Sequence, residues 1–195
     1  MPVASIGFRA KTGRAIAVAL KREHSSPAYL ARWEVMLHDP HVAATGQPHH
    51  HVMELPWSDA QSEVRPIEQR IENIAVEVLT RLLDELRSRG FTVHGVGVVG
   101  SPDRILEKIG NRHMRAHAAE GILFRRVLEL AAAKHQLRCR SFSDREIGEP
   151  PEMTNTLLTI GRAAGRPWRA DERAAAVAAC FMLQAPALEG VNEFI

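Results

Sequence analysis

The chain has 195 residues, 45% hydrophobic and 25% charged, which is enough for one well-buried α/β domain and too little for two. A formal net charge of +2 and a sequence pI of about 8.8 permit a nucleic-acid partner. They lack the footprint that would demand one, a pI above about 9 with clustered basic residues. No apolar run approaches the roughly 18 residues of a membrane span, and no basic region leads into an apolar core at the start, so a cytoplasmic protein with no membrane attachment is expected.

Val3 to Arg9 is short and apolar, Lys11-Thr12-Gly13 is a tight turn, and Arg14 to Arg22 alternates through Ile16, Val18 and Leu20. After Ser25-Ser26-Pro27, the run Tyr29 to His38 places Leu30, Trp33, Val35 and Leu37 in a third strand. Two short connections predict a three-stranded antiparallel meander.

Residues 39–66 lack periodicity and carry Pro40, Pro48, Pro56, Pro66 and His49-His50-His51. A long functional or mobile loop is expected, with Val52 to Leu55 as a short added strand. Neighbouring side chains on a strand face opposite ways, so three consecutive histidines cannot share one ion there. His49 and His51 are the pair that can, with Glu54 as a further donor; a His-rich surface loop is the plainer reading.

Ile67, Ile71, Ile74, Val78, Leu82 and Leu86 form a stripe that predicts a helix from Glu63 to Arg89, with Ser62 as N-cap and Gly90 as the stop. Its alternating acidic and arginine residues are those of a solvated helix face. Phe91 to Val99 is a nearly continuous apolar run, expected to be a strand buried on both faces. Gly95, Gly97 and Gly100 thin it out, which implies close packing against it or an open end. The run ends in Ser101-Pro102-Asp103, and ligand sites in open α/β sheets gather at such carboxyl ends.

A short helix is expected over Asp103 to Ile109, then a long one through Lys134 with Ala118, Leu123, Val127, Leu130 and Ala131 inward. Leu137 to Phe142 reads as a fifth strand and Ser143 to Pro151 as a surface loop. Met153 to Ala164 and Ala170 to Leu183 read as the last helices, with Asp171 and Glu172 in a first turn that favours carboxylates. The expected organisation is one domain over 1–185 and a tail over 186–195. Cys139 and Cys180 lack a CxxC partner and stand in apolar company, so both are expected to be buried, reduced thiols.

The order β-β-β-α-β-α-β-α, the hairpin opened by Ile6-Gly7-Phe8-Arg9, the segment His117 to Leu123 and the alanine-rich Ala170 to Ala179 together resemble the RNase H-like superfamily. Within it they resemble Holliday-junction resolvases of the RuvC kind. The resemblance implies an α/β fold with a mixed five-stranded sheet and helices on both faces. It also implies a site where carboxylates hold two Mg²⁺ or Mn²⁺ ions about 4 Å apart for phosphodiester cleavage. The matching positions depart from that pattern: strand one has Phe8 or Arg9, the end of strand four has Val98-Val99-Gly100, and the last helix has Arg173. Asp171, Glu172 and Asp103 stand nearby, but strand one supplies no carboxylate. The expectation is therefore an RNase H-like protein without two-metal catalysis.

The positive candidates are Arg9, Arg112, Arg115, Arg166, Arg169 and Arg173, with Trp168, as a surface for DNA, RNA or another phosphate-bearing partner. Arginine grips phosphate through two bonds, and an aromatic among basic residues can stack on a base. A Trp that plugs the core beside solvated arginines is the plainer reading. The alternative is a metal-dependent nuclease or phosphoesterase with an atypical centre built on His113, His117, Glu120 and Asp171. The first three fall at steps of four and three on one helix face. Mg²⁺ or Mn²⁺ is implied only in that case, and no other cofactor is expected. A third possibility is a structural protein that assembles with copies of itself. No Gly-x-Ser-x-Gly elbow is present.

Overall fold

The computed structural model describes residues 1–24, 26–148 and 151–184; the expected tail over 186–195 lies outside them. Five strands form one sheet in the order β3-β2-β1-β4-β5: β1 is Val3–Lys11, β2 Arg14–Glu23, β3 Ser26–Met36, β4 Thr92–Val99 and β5 Arg138–Phe142. The meander pairs β1, β2 and β3 antiparallel, and β4 and β5 join parallel to β1. Gly13 takes φ +74° in the β1–β2 turn, where a side chain would be strained. Its carbonyl accepts the Leu37 N–H at 2.9 Å, which holds the end of β3 beside the hairpin.

Period-2 alternation sends the two sets of β1 side chains to different layers. Ala4, Ile6, Phe8 and Ala10 join the core under α2 (Trp57–Ser88) and α3 (Arg112–Lys134). Ser5, Gly7 and Arg9 face α5 (Ala170–Gln184), where Ser5 donates its hydroxyl to the Ala179 carbonyl at 2.7 Å. A second core lies on that side, with Val18, Leu20 and Val99 against α5 and against Leu157 and Ile160 of α4 (Thr154–Ala164). Helices therefore cover both faces, and among the described residues none is long and apolar enough to cross a membrane.

The glycines of β4 are explained by α5. A Cβ on Gly97 would lie 2.8 Å from the Ala178 carbonyl oxygen, one on Gly95 2.7 Å from Met182 Cε, and one on Gly7 of β1 only 1.8 Å from the Ala175 carbonyl oxygen. Glycine on the sheet and alanine on the helix let the two backbones touch.

Several expectations need correction. The loop over 39–66 is shorter, because α1 (Pro48–His51) occupies its middle and α2 begins at Trp57. Pro66 lies inside α2, on its exposed side, where the carbonyl left without a partner can turn to water. The α2 N-cap position is Pro56, not Ser62. Val52 to Leu55 is turn rather than strand, and Asp103 to Ile109 holds only a 3₁₀ turn, Leu106–Lys108. Cys180 is buried, and burial pushes its thiol up to about 12. Cys139 is exposed, since β5 is the sheet edge; desolvation, with the Glu129 carboxylate adding, still pushes its thiol up to about 12, so neither is a ready nucleophile.

Gly7→Ala is expected to lower unfolding stability by at least about 2 kcal/mol in urea denaturation, because β1 and α5 must separate. Gly110→Ala, at a glycine where an added Cβ would meet nothing within 4 Å, should change it by less than about 0.5 kcal/mol. Equal effects would show that the close β1–α5 approach is not what requires glycine.

Candidate functional site

The carboxyl ends of β1 and β4 and the amino ends of α3 and α5 gather the charged candidates. On the α5 side, Arg9 Nη1 lies 2.5 Å from Asp144 and its Nε 3.6 Å from Asp171, while Lys11 Nζ lies 2.9 Å from the same Asp171 oxygen. The Arg9 side chain is only 14% exposed, whereas Asp144 is 69% and Asp171 32% exposed, so the cation is sheltered while its carboxylate partners meet solvent. Glu172 is buried and accepts the Arg169 N–H at 2.9 Å, the reach-back of a carboxylate at the third helical position to its N-cap. Asp171 and Glu172 are thus each engaged by the chain itself.

At the end of β4 the same holds for Asp103. Arg125, 9% exposed in its side chain, places Nη2 2.6 Å from Asp103, and Arg126 reaches the same oxygen at 3.0 Å. Arg125 also donates Nε to the Ser101 carbonyl at 2.8 Å and pairs with Glu129. The Mg²⁺ pair implied by the resemblance does not fit these residues. Hard cations need several converging anionic oxygens, and here guanidinium and ammonium groups stand among the carboxylates.

On the other side of the sheet a second group forms. His113 and His117 lie one turn apart on α3, whose first turn is capped by Asn111 accepting the Met114 N–H at 2.9 Å. Their Nε2 atoms are 3.1 Å apart. His50 of α1 completes the cluster, its ring centroid 4.8 Å from that of His113 and 4.3 Å from that of His117, both edge-on. One ring nitrogen from each lies within 4.8 Å of the others. Glu120, fully buried, accepts from His50 Nδ1 at 2.7 Å and from the His50 backbone N–H at 3.2 Å. Among the described residues, His50 Nε2 and Glu120 Oε2 are buried with no hydrogen-bond partner.

The expected centre of His113, His117, Glu120 and Asp171 is therefore divided. The first three belong together, with His50, whereas Asp171 belongs to the Arg9 and Lys11 group on the α5 side. Among the described residues the expected pair His49 and His51 is not in the clustered group: His49 is buried with Nε2 3.3 Å from Glu68, and His51 is exposed. The three adjacent histidines do not come together, since only His50 joins the cluster, but the segment that carries them is a helical turn rather than loop or strand. Pro48 at its first position was the available signal.

The basic candidates also fall in separate places. Arg112 is exposed, 3.4 Å from Glu54, and Arg115 stacks over Trp57 at 5.2 Å and donates to the Ile109 carbonyl. Trp168 packs on Gly161, where a Cβ would lie 2.6 Å from its Nε1, and it lines a recess of about 290 Å³ with Leu157, Arg162 and Arg173. Arg162, Arg166 and Arg169 stand exposed around it. Arg32 holds this corner by donating to the Gly165 carbonyl at 3.4 Å and the Arg166 carbonyl at 3.3 Å.

No protein-family model matches the sequence, and no curated protein matches it. Among solved structures, T. thermophilus RuvC in complex with a Holliday junction substrate matches at TM-score 0.50 and 11% identity, over 91% of this chain and 90% of that one. The fold is RNase H-like. A second Thermus thermophilus RuvC structure aligns at TM-score 0.46 and 13% identity over 92% of each chain. An Aquifex aeolicus Ppx/GppA protein aligns at TM-score 0.38 and 11% identity, over 76% of this chain and 37% of its own.

Arg9→Asp would bring three carboxylates together at residues 9, 144 and 171. It is expected to lower Tm in metal-free buffer and to recover part of the loss in millimolar Mg²⁺ or Mn²⁺, whereas the wild-type Tm should not respond to Mg²⁺. Differential scanning fluorimetry reads both; a wild-type Tm raised by Mg²⁺ and no longer raised in Asp171→Ala would show that this edge already binds the ion.

Proposed function

We propose that this protein binds nucleic acid through the exposed arginines of its α4–α5 corner, beside the carboxyl edge of the sheet, and does not cut it by the two-metal route. The observation that carries the reading is the pairing of Asp171 with Arg9 and Lys11. Cations of the chain stand where the fold's cleavage chemistry calls for metal-bound carboxylates, and Asp103 is likewise held by Arg125 and Arg126. Exposed Arg162, Arg166 and Arg169 supply positive charge beside the recess lined by Trp168. Guanidinium groups there suit phosphate oxygens, and the recess offers a ring edge and apolar wall to a base. The match to a RuvC bound to a Holliday junction makes branched DNA the first ligand to test.

Fluorescent four-way-junction, duplex and single-stranded DNA should bind saturably, with log K falling as log salt rises. Removing two phosphate contacts in Arg166→Ala/Arg169→Ala should lower the magnitude of the salt slope by about 2 and weaken binding alike across sequences. Arg81→Ala, on α2 across the sheet, should leave binding unchanged. Strands should remain intact on a denaturing gel in Mg²⁺ or Mn²⁺. Absence of binding, or metal-dependent cleavage lost in Asp171→Ala, would remove the reading.

A further inference from the structure

The cluster of His50, His113, His117 and Glu120 has no part in the nucleic-acid reading and lies in the other helical layer. Its composition is unusual in one respect. Among the described residues the fully buried side chain of Glu120 has a single imidazole and a single backbone N–H as its partners, and its second oxygen has none. A buried carboxyl group with so few partners leaves hydrogen-bonding capacity unused beside His50. No lysine or arginine is among its hydrogen-bonding partners in the described residues.

His50 has one nitrogen committed to Glu120 and the other, Nε2, buried without a partner. Buried polar atoms are satisfied in the large majority of cases, so the orphan nitrogen calls for an occupant. The rings nearest to it are those of His113 and His117, whose Nε2 atoms already stand 3.1 Å apart. Zn–N bonds of about 2.0–2.1 Å in a tetrahedron separate ligand nitrogens by about 3.4 Å. The cluster is therefore within small side-chain rotations of that geometry.

We propose that His50, His113 and His117 bind one divalent transition ion of the Zn²⁺ class, with Glu120 behind His50 fixing which of its nitrogens faces the ion. A carboxylate that accepts the free N–H of a ligating imidazole orients the ring and raises its basicity. The i, i+4 spacing of His113 and His117 puts two ligands on one face of α3. Both are exposed, which leaves a fourth coordination position to water. Three neutral nitrogens select Zn²⁺, Co²⁺, Ni²⁺ or Cu²⁺ over Mg²⁺ and Ca²⁺, which require oxygen.

The test uses the full-length chain stripped with a chelator, then titrated with Zn²⁺ against a chromophoric competitor and with Co²⁺ for its visible spectrum. One ion per chain, the intense absorption of tetrahedral Co²⁺ and a raised Tm are expected. Mg²⁺ should give none of these. His113→Ala and His117→Ala change exposed side chains and should fold, as circular dichroism will show, yet weaken Zn²⁺ binding at least about 100-fold. Glu120→Gln retains the shape and should weaken it by about 10- to 100-fold. His51→Ala, exposed and outside the cluster, should bind as the wild type does. Failure to take up one Zn²⁺ per chain, or equal loss in His51→Ala and His117→Ala, would overturn the proposal. So would metal-free protein whose Tm rises on acidification while it takes up no ion, because a proton would then be the occupant. None of these readouts depends on DNA, so the two proposals fail separately.

Discussion

Everything at the carboxyl edge depends on how closely α5 lies against the sheet. The Ala175 carbonyl oxygen occupies the space where Gly7 would otherwise carry a side chain, and Ala178 does the same over Gly97. Such contact is possible only where neither surface has bulk. It fixes the height and direction of α5, and so carries Asp171 to within reach of Arg9 and Lys11 at the end of β1. Ser5 adds a buried hydrogen bond to the Ala179 carbonyl in the same interface.

The charges placed there are balanced within the chain. Arg9 lies between Asp144 and Asp171, and Arg125 ties Asp103, Glu129 and the Ser101 carbonyl together. A fixed guanidinium satisfies carboxylates through directional hydrogen bonds and cannot lose its proton at ordinary pH. It supplies the positive charge of an ion without Lewis acidity toward an attacking water. An RNase H-like fold can in this way hold its carboxyl edge together with internal ion pairs.

The histidine cluster follows a different logic. Its three imidazoles come from two elements, and the carboxylate behind them is buried completely. Glu120 accepts both the backbone N–H and the ring of His50, so it positions α1 as well as the ring. The turn Pro48–His51, only four residues long, has that carboxylate as an anchor besides its own bond from the His51 N–H to the Gln47 carbonyl, and a single helical turn has little stability alone.

The strand and helix order, the inward stripes of α2 and α3, the turn at Gly13 and the absence of a strand-one carboxylate are all legible in the residues. Periodicity and turn chemistry act over a few positions, and burial leaves its mark there. The glycines of β4 even announce a close neighbour, though not that it would be α5. The segment around His50 is not legible in this way, because Pro-rich stretches without period look alike whether they form loop or single helical turns. What the sequence determined by itself was which residues face inward and that the first strand carries no carboxylate. Only the tertiary structure decided that His50 would meet Glu120, 70 positions away, and that Asp171 would leave the histidines for Arg9. Local pattern encodes the burial of a side chain, but its partner is chosen by the packing of layers that are distant in the chain.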